Sequence, residues 1–316
     1  MTINVFIDGA AGTTGLEIGE RLATRRDLAL IALDESARKD TDARRQALND
    51  ADFVILCLPD DAAREAVALI DNPRTRVIDA STAFRTAEGW TYGLPEIEPG
   101  QAAAIANAAR VSNPGCYPTG FLCLVRPLIR AGLVPADWAL SVNAASGYSG
   151  GGKAMIAEFE SGAETSVLRN YALGLAHKHV PEMQKHARLA HPPIFMPSVA
   201  NTYRGMIVEV PLPLHAFPRH PTIATCETVL REAYRDSPVV RVADSDDGTA
   251  LVRIEDDAGT DRLTLRVLGN SETGQARLIA TLDNLGKGAS GAAVQNLNVM
   301  AGLDPVLGLI LKGTPR

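Results

Sequence analysis

Cys116 stands in the segment Ser112-Asn113-Pro114-Gly115-Cys116-Tyr117-Pro118-Thr119. Asn-Pro-Gly is turn chemistry, and Pro118 is tolerated in the first turn of a helix, where its missing N–H costs nothing. The segment therefore predicts a cysteine at a helix N-terminus. The dipole there stabilises a thiolate, and cysteine pKa values in such places fall from about 8.5 into a range of roughly 3.5–7.5. Thiolate is the nucleophilic form, so the expected chemistry is covalent catalysis. Cys57, Cys123 and Cys226 lie in apolar strand or helix patterns and read as small buried residues.

A thiolate needs a partner that manages protons. His177-Lys178-His179-Val180-Pro181-Glu182-Met183 places two histidines together, and either His177 or His179 is the expected acid/base. No second ligand cluster accompanies the pair, so no metal is expected. His186, His191, His215 and His220 are given no role.

A third chemical signal opens the chain. The apolar run Ile3–Ile7 leads into Gly9-Ala10-Ala11-Gly12-Thr13-Thr14-Gly15, followed by a helical pattern through Leu22. Glycines between a buried strand and a helix let backbone amides approach a pyrophosphate over the positive helix end. About 20 residues on, an acidic side chain favours a free ribose hydroxyl and NAD, whereas arginine favours a 2′-phosphate and NADP. Asp34 with Ser36, Arg38 and Lys39 offers both signals, tipped modestly toward NADP(H). A second glycine-rich turn, Ser146-Gly147-Tyr148-Ser149-Gly150-Gly151-Gly152-Lys153, precedes another helix and can bind cofactor or substrate phosphate, with Lys153 as a point charge. Arg85 and Arg204 are candidates for a substrate carboxylate or phosphate.

The elements that must position these groups fall into two textures. Ile3–Ile7, Leu28–Leu33, Phe53–Leu58 and Val77–Ile78 are continuous apolar runs separated by helical stretches, which predicts a parallel sheet covered on both faces. After Pro114, a helix from Cys116 to about Ala131 leads to strands at Ala139–Ala145, Ile194–Met196, Met206–Leu212, Val239–Val242, Leu251–Ile254, Leu263–Leu268 and Leu278–Leu282. Several alternate, as a mixed sheet with one wetter face would. A last helix runs from Ala289 to about Gly302. At 316 residues two domains are expected.

Composition sets the outer bounds. A net charge of -6 carries no basic footprint for nucleic acid. No apolar run approaches the roughly 20 residues of a membrane span. Four cysteines without a CxxC pair read as reduced thiols. With a strand pattern, and no secretory signal, at the start, the expected address is cytoplasmic.

The motifs together resemble a known family. Besides those above, they are Asp79-Ala80-Ser81-Thr82-Ala83-Phe84-Arg85, Tyr92-Gly93-Leu94-Pro95-Glu96, Pro197-Ser198-Val199, Arg204-Gly205-Met206 and Asn284-Leu285-Gly286-Lys287-Gly288-Ala289-Ser290-Gly291-Ala292-Ala293-Val294-Gln295. In collinear order from residue 2 to about 303, the set resembles the short form of the N-acetyl-γ-glutamyl-phosphate reductases of arginine biosynthesis. The glycine turn and the Asp-x-Ser-Thr segment are shared with aspartate-semialdehyde dehydrogenase.

The resemblance implies an α/β chain. A Rossmann-type NADP-binding domain, residues 1–115 and 286–316, joins an α+β catalytic and dimerisation domain with a mixed sheet, residues 116–285. It implies NADPH-dependent reduction of an acyl phosphate to a semialdehyde, with Cys116 as nucleophile and His179, or else His177, as acid/base. The implied cofactor contacts are Gly9, Ala11, Gly12, Thr13, Thr14, Gly15, Ser36, Arg38, Lys39, Leu58, Pro59, Ser81, Ser146, Gly147, Ser149, Gly150 and Asn284. The implied substrate contacts are Arg85, Asn113, Lys153 and Arg204. The partners expected are the small substrate and further copies of the chain, as a homodimer or homotetramer. Competing readings are aspartate-semialdehyde dehydrogenase, a non-enzymatic NADP-binding redox sensor, which needs no nucleophile, and a cysteine hydrolase, which has no use for the glycine turn.

Overall fold

The computed structural model describes residues 2–244, 248 and 250–311. The chain divides into two compact units: Met1–Pro95, Gly100–Pro114 and Ala289–Leu309 form one, and Glu96–Pro99, Gly115–Gly288 and Ile310–Arg316 the other.

In the first unit the chain runs β1 (Ile3–Asp8), α1 (Thr13–Ala23), β2 (Leu28–Ile31), α2 (Thr41–Asp50), β3 (Phe53–Leu56), α3 (Asp60–Ala68), β4 (Arg76–Asp79), β5 (Thr91–Tyr92), α4 (Gln101–Asn107) and β6 (Arg110–Ser112). The strands form a six-stranded parallel sheet in the order β2-β1-β3-β4-β6-β5. Continuous apolarity has its reason here, because successive residues enter opposite cores. Val5, Ile7 and Ile55 pack with Ile18 and Leu22 of α1 on one face. Phe6, Val54 and Leu56 pack with Leu48 of α2 and Ala63 of α3 on the other. Strand order reverses between β1 and β3, and open parallel sheets bind ligands beyond the strand C-termini at such a switch point.

The second unit follows with α5 (Cys116–Arg130), β7 (Ser141–Gly147), α6 (Gly152–Glu160), β8 (Leu168–Asn170), α7 (Val180–Ala187), β9 (Ile194–Ala200), β10 (Met206–Pro213), α8 (Ile223–Ala233), β11 (Val240–Val242), β12 (Leu263–Asn270) and β13 (Gln275–Leu282). Its seven-stranded mixed sheet has the order β11-β12-β13-β10-β7-β9-β8. Helix α5 lies on this sheet so closely that a Cβ at Gly120 would come 2.9 Å from the Val208 side chain on β10. After β13 a π-helical turn, Gly286–Ser290, leads into α9 (Gly291–Met300). Val294, Leu297 and Met300 of α9 join the first unit's core beside Ile18 and Leu22.

One expected strand is absent. Leu251–Ile254 does not pair with either sheet, and turns begin at Ile254. The Asp256 carboxylate accepts the Arg253 N–H, and the Asp256 N–H donates to the Arg253 carbonyl. Such local acid-to-backbone bonding competes with a strand ladder. Conversely β5, β6 and β8 are only two or three residues long, too short to show a period. Among the described residues no helix is long and apolar enough to cross a membrane.

Candidate active site

Cys116 is the first residue of α5, with Gly115 as an extended N-cap at φ -72° and ψ 153°. Gly115 has no side chain with which to cap this helix end. The Gly115 N–H instead donates to Oε1 of Glu182, 2.8 Å away in the first turn of α7. That bond joins the cysteine turn to the helix that His179 caps. Around the neighbouring Tyr117 the two histidines converge, with ring centroids 6.1 Å (His177) and 6.0 Å (His179) from its ring, and 4.7 Å from each other.

Hydrogen bonds fix this cluster. His177 Nδ1 accepts the His179 backbone N–H at 3.1 Å, and its Nε2 lies 3.4 Å from the Tyr171 hydroxyl. Tyr171 donates to the Tyr117 hydroxyl at 3.2 Å, and Tyr117 donates to the Ser198 carbonyl at 3.2 Å. Burial first, with charge on the nearby Cys116 adding to it, pushes the Tyr171 phenol up to about 12. Tyr117 is raised well above the usual phenol range, again chiefly by burial. Both tyrosines therefore stay neutral and serve as hydrogen-bonding struts.

Burial, assisted by the charges of Asp79 and Asp8, pushes the Cys57 thiol up to about 12. Cys123 is likewise pushed to about 12 and Cys226 to about 11, chiefly by burial. These thiols are protonated at neutral pH and unreactive.

In the first unit the glycine turn forms a cradle. Gly9 has φ +88°, and a Cβ on it would lie 2.3 Å from the Cys57 carbonyl oxygen and 3.2 Å from the Leu58 side chain. A Cβ on Gly15 would lie 2.3 Å from the Gly9 carbonyl oxygen. Gly12 caps α1 without a side-chain acceptor, and the Gly12 N–H donates to Gly9 at 2.9 Å. Leu58-Pro59, expected from sequence at this turn, abuts it at the start of α3, whose N-cap is Pro59. Thr13 Oγ1 is buried with no hydrogen-bond partner in the protein. Two close-packed glycines, two uncapped helix starts and an orphaned hydroxyl suit a dinucleotide pyrophosphate.

Two family models match the chain. The NAD binding domain of semialdehyde dehydrogenases covers residues 4–105, and their dimerisation domain covers 116–284. N-acetyl-gamma-glutamyl-phosphate reductase 2 of a Nostoc species is 49% identical over 96% of this chain and 98% of its own. The reductase 2 of Pseudomonas putida is 50% identical over 94% and 96%, and the reductase of Brucella anthropi 51% over 96% and 99%. The chain belongs to the N-acetyl-gamma-glutamyl-phosphate reductase family. Its fold is shared with aspartate semialdehyde dehydrogenase II of Vibrio cholerae, at a TM-score of 0.69, 19% identity and coverage of 96% and 99%. The Candida albicans aspartate semialdehyde dehydrogenase solved with NADP superposes at 0.67, with 14% identity and coverage of 95% and 99%. At such identities the likeness extends to fold alone, and the name follows the relatives near 50%.

Within this reductase fold, three segments distant in sequence meet in the second unit: the Ser146–Gly150 turn, Arg204-Gly205 and Asn284. Asn284 Oδ1 accepts the Gly205 N–H at 2.9 Å, and Nδ2 donates to Ser149 Oγ at 2.8 Å. Ser149 Oγ donates to the Tyr203 carbonyl, and Ser146 Oγ to the Gly147 carbonyl. A Cβ on Gly147 would meet the Thr202 and Tyr203 carbonyls at 2.7 Å, and one on Gly150 would meet Ser146 Oγ at 3.1 Å. Arg204 Nε stands 3.2 Å from Asp283 Oδ2. Lys153 is exposed in the first turn of α6.

Several residues expected to touch ligands also bond within the protein. Asn113 Nδ2 donates to the Ala289 carbonyl at 3.0 Å, and its Oδ1 accepts from Asn296 at 3.0 Å. Arg85 is buried and donates to the Asn113 and Ala80 carbonyls, both at 3.0 Å. Ser81 Oγ donates to Asp79 Oδ2 at 2.7 Å. Asp34 Oδ1 accepts from Ser36 Oγ and the Ala37 N–H, which pulls its carboxyl below the usual range and makes it a local cap. Arg38 Nε donates to the Leu33 carbonyl, Ala11 is exposed in the glycine turn, and the Lys39 side chain lies outside the described residues.

Sequence reasoning missed Glu182, Asp283 and the tyrosine pair. Glu182 carried a signal, an acid in the first turn after proline. Tyr117 and Tyr171 carried none, because their partnership depends on the fold.

Proposed function

We propose that this chain reduces N-acetyl-γ-glutamyl phosphate to N-acetylglutamate semialdehyde and phosphate through a thioester on Cys116. The observation that carries the reading is Cys116 as the first residue of a helix, one residue before the tyrosine on which both histidines converge.

The Cys116 thiolate attacks the γ-acyl carbon, a C–S bond forms, and the acyl–phosphate bond breaks to release phosphate. The Gly9–Gly15 turn would hold the pyrophosphate of NADPH, which would supply the hydride that the thioester accepts. The resulting tetrahedral oxyanion collapses, the C–S bond breaks, and thiolate and aldehyde are restored. First-turn amides of α5 stabilise the oxyanion, each such donor being worth about 2.7–4 kcal/mol in comparable sites. The Gly115 N–H is not one of them, because Glu182 engages it. His179 takes the Cys116 thiol proton as the thiolate forms and gives it to the departing phosphate oxygen, since both ring nitrogens of His177 are directed to the His179 amide and Tyr171. A thioester accepts hydride more readily than a carboxylate, and the acyl phosphate supplies the driving force.

NADP rather than NAD fits Asp34's engagement as a local cap, which removes the acidic partner a free ribose hydroxyl would need. The matched dimerisation domain supports a homodimer or homotetramer. Biosynthetic chemistry and three protonated, unpaired thiols fit the cytoplasm.

The test is phosphate-dependent reduction of NADP by N-acetylglutamate semialdehyde, run beside aspartate semialdehyde. Activity on the acetylated substrate is expected. Activity on aspartate semialdehyde alone would transfer the chain to the sister reaction.

A further inference from the structure

Two motifs, Tyr92-Gly93-Leu94-Pro95-Glu96 and Asn284-Leu285-Gly286-Lys287-Gly288, have no role in the mechanism above, and their last charged residues meet. Lys287 Nζ lies 3.0 Å from both Glu96 oxygens, with Lys287 fully buried. Both charges act on the buried Cys123 thiol of α5, and Glu96 also acts on Tyr234, whose hydroxyl donates to the Cys123 carbonyl. Burying two charges carries a desolvation penalty that apolar residues of similar size avoid, so stability alone is a poor reason for such a pair.

What the pair holds is unusual. Lys287 lies in the π-helical turn Gly286–Ser290, a rare geometry that recurs at functional sites. The turn closes with the Gly288 N–H on the Asp283 carbonyl at 2.9 Å. The Asp283 carboxylate accepts the Leu285 and Gly286 N–H groups, each at 2.8 Å. Gly288 then packs on the nucleophile: a Cβ there would lie 2.9 Å from Cys116 Cβ and 3.4 Å from Cys116 Cα.

We propose that the Lys287–Glu96 ion pair is a positioning device for Cys116, locking the π-helical turn so that Gly288 walls one side of the nucleophile. The inference rests on reading Cys116 as the nucleophile. Without the pair the turn relaxes, Gly288 withdraws, and the thiolate leaves its attack geometry; misplacement by about 1 Å costs on the order of 100-fold in rate.

The experiment uses the full chain and two independent variants. Lys287→Met with Glu96→Leu replaces the pair by apolar side chains, and Gly288→Ala pushes on both Cys116 and the Asp283 carbonyl that closes the turn, while leaving the pair intact. Each is assayed for kcat and KM with N-acetylglutamate semialdehyde and NADP, and for the pH profile of Cys116 alkylation by iodoacetamide. The folded double variant is expected to lose about 30-fold or more in kcat. Both KM values stay near wild type and the alkylation profile shifts. Gly288→Ala shows the same pattern. Wild-type kcat and alkylation in the folded double variant overturn the proposal. If that variant does not fold, the same wild-type behaviour in Gly288→Ala overturns it. Failure of the reaction assignment is separate: it shows as an inactive wild-type chain, and the alkylation profiles still decide the positioning claim.

Discussion

Glu182 Oε1 accepts the backbone N–H of Gly115 at 2.8 Å, fastening the helix behind the histidine pair to the residue that precedes Cys116. Both groups are buried. Glu182→Ala leaves that N–H unpaired, which costs about 1–3 kcal/mol. Glu182→Gln keeps a carbonyl acceptor and removes only the charge. The expected order of Tm is wild type, then Gln, then Ala, with kcat falling in the same order. Equal melting temperatures for Gln and Ala would show that the bond does not hold the turn.

The histidines are separable by their partners. His177 Nδ1 accepts a backbone N–H, so its neutral ring carries the proton on Nε2, facing Tyr171. His179→Asn is expected to lower kcat by about 10²–10⁴-fold. His177→Asn, which loses a bracing ring, is expected to cost less in kcat. Steady-state rates with N-acetylglutamate semialdehyde decide, and the reverse order would move the acid/base role to His177.

Asp79 sets a pH dependence of stability. It is fully buried at the end of β4, with Oδ2 accepting from Ser81 and Oδ1 lacking a partner in the protein. Burial pushes its carboxyl up to about 6, against the opposing pull of Ser81 and Arg85. Between about pH 4 and 6 the folded chain holds a proton that the unfolded chain has released. Stability therefore falls as pH rises through that window, by about 3 kcal/mol at most from this group. Asp79→Asn removes this component. Urea unfolding should show the variant losing less stability than wild type, or gaining more, between about pH 4 and about pH 7. An identical difference would mean that Asp79 titrates normally.

The legible parts of this molecule were local. Strands β1, β3 and β4 showed themselves because burial on both faces leaves an uninterrupted apolar run, and the Gly9 turn and the start of α5 because glycine and proline restrict the backbone by themselves. Leu251–Ile254 misled because nothing in its apolar character announces that Asp256 turns on the Arg253 backbone. The side chains harder to read were the polar ones. Asn113, Asn284 and Arg85 have the chemistry of ligand contacts, and they also bond to carbonyl and amide groups tens to hundreds of residues away. Only the fold reveals that a donor's partner is the protein's own backbone.

The proposed reaction requires a covalent intermediate on Cys116. The chain is incubated with N-acetylglutamate semialdehyde and NADP without phosphate, which withholds the group that releases the acyl enzyme. NADPH formation and the intact mass are then recorded. A burst of NADPH, an added N-acetylglutamyl group mapped to the Cys116 peptide, and its discharge by phosphate are the predicted results. No adduct, together with undiminished phosphate-dependent turnover in Cys116→Ala, would contradict the account.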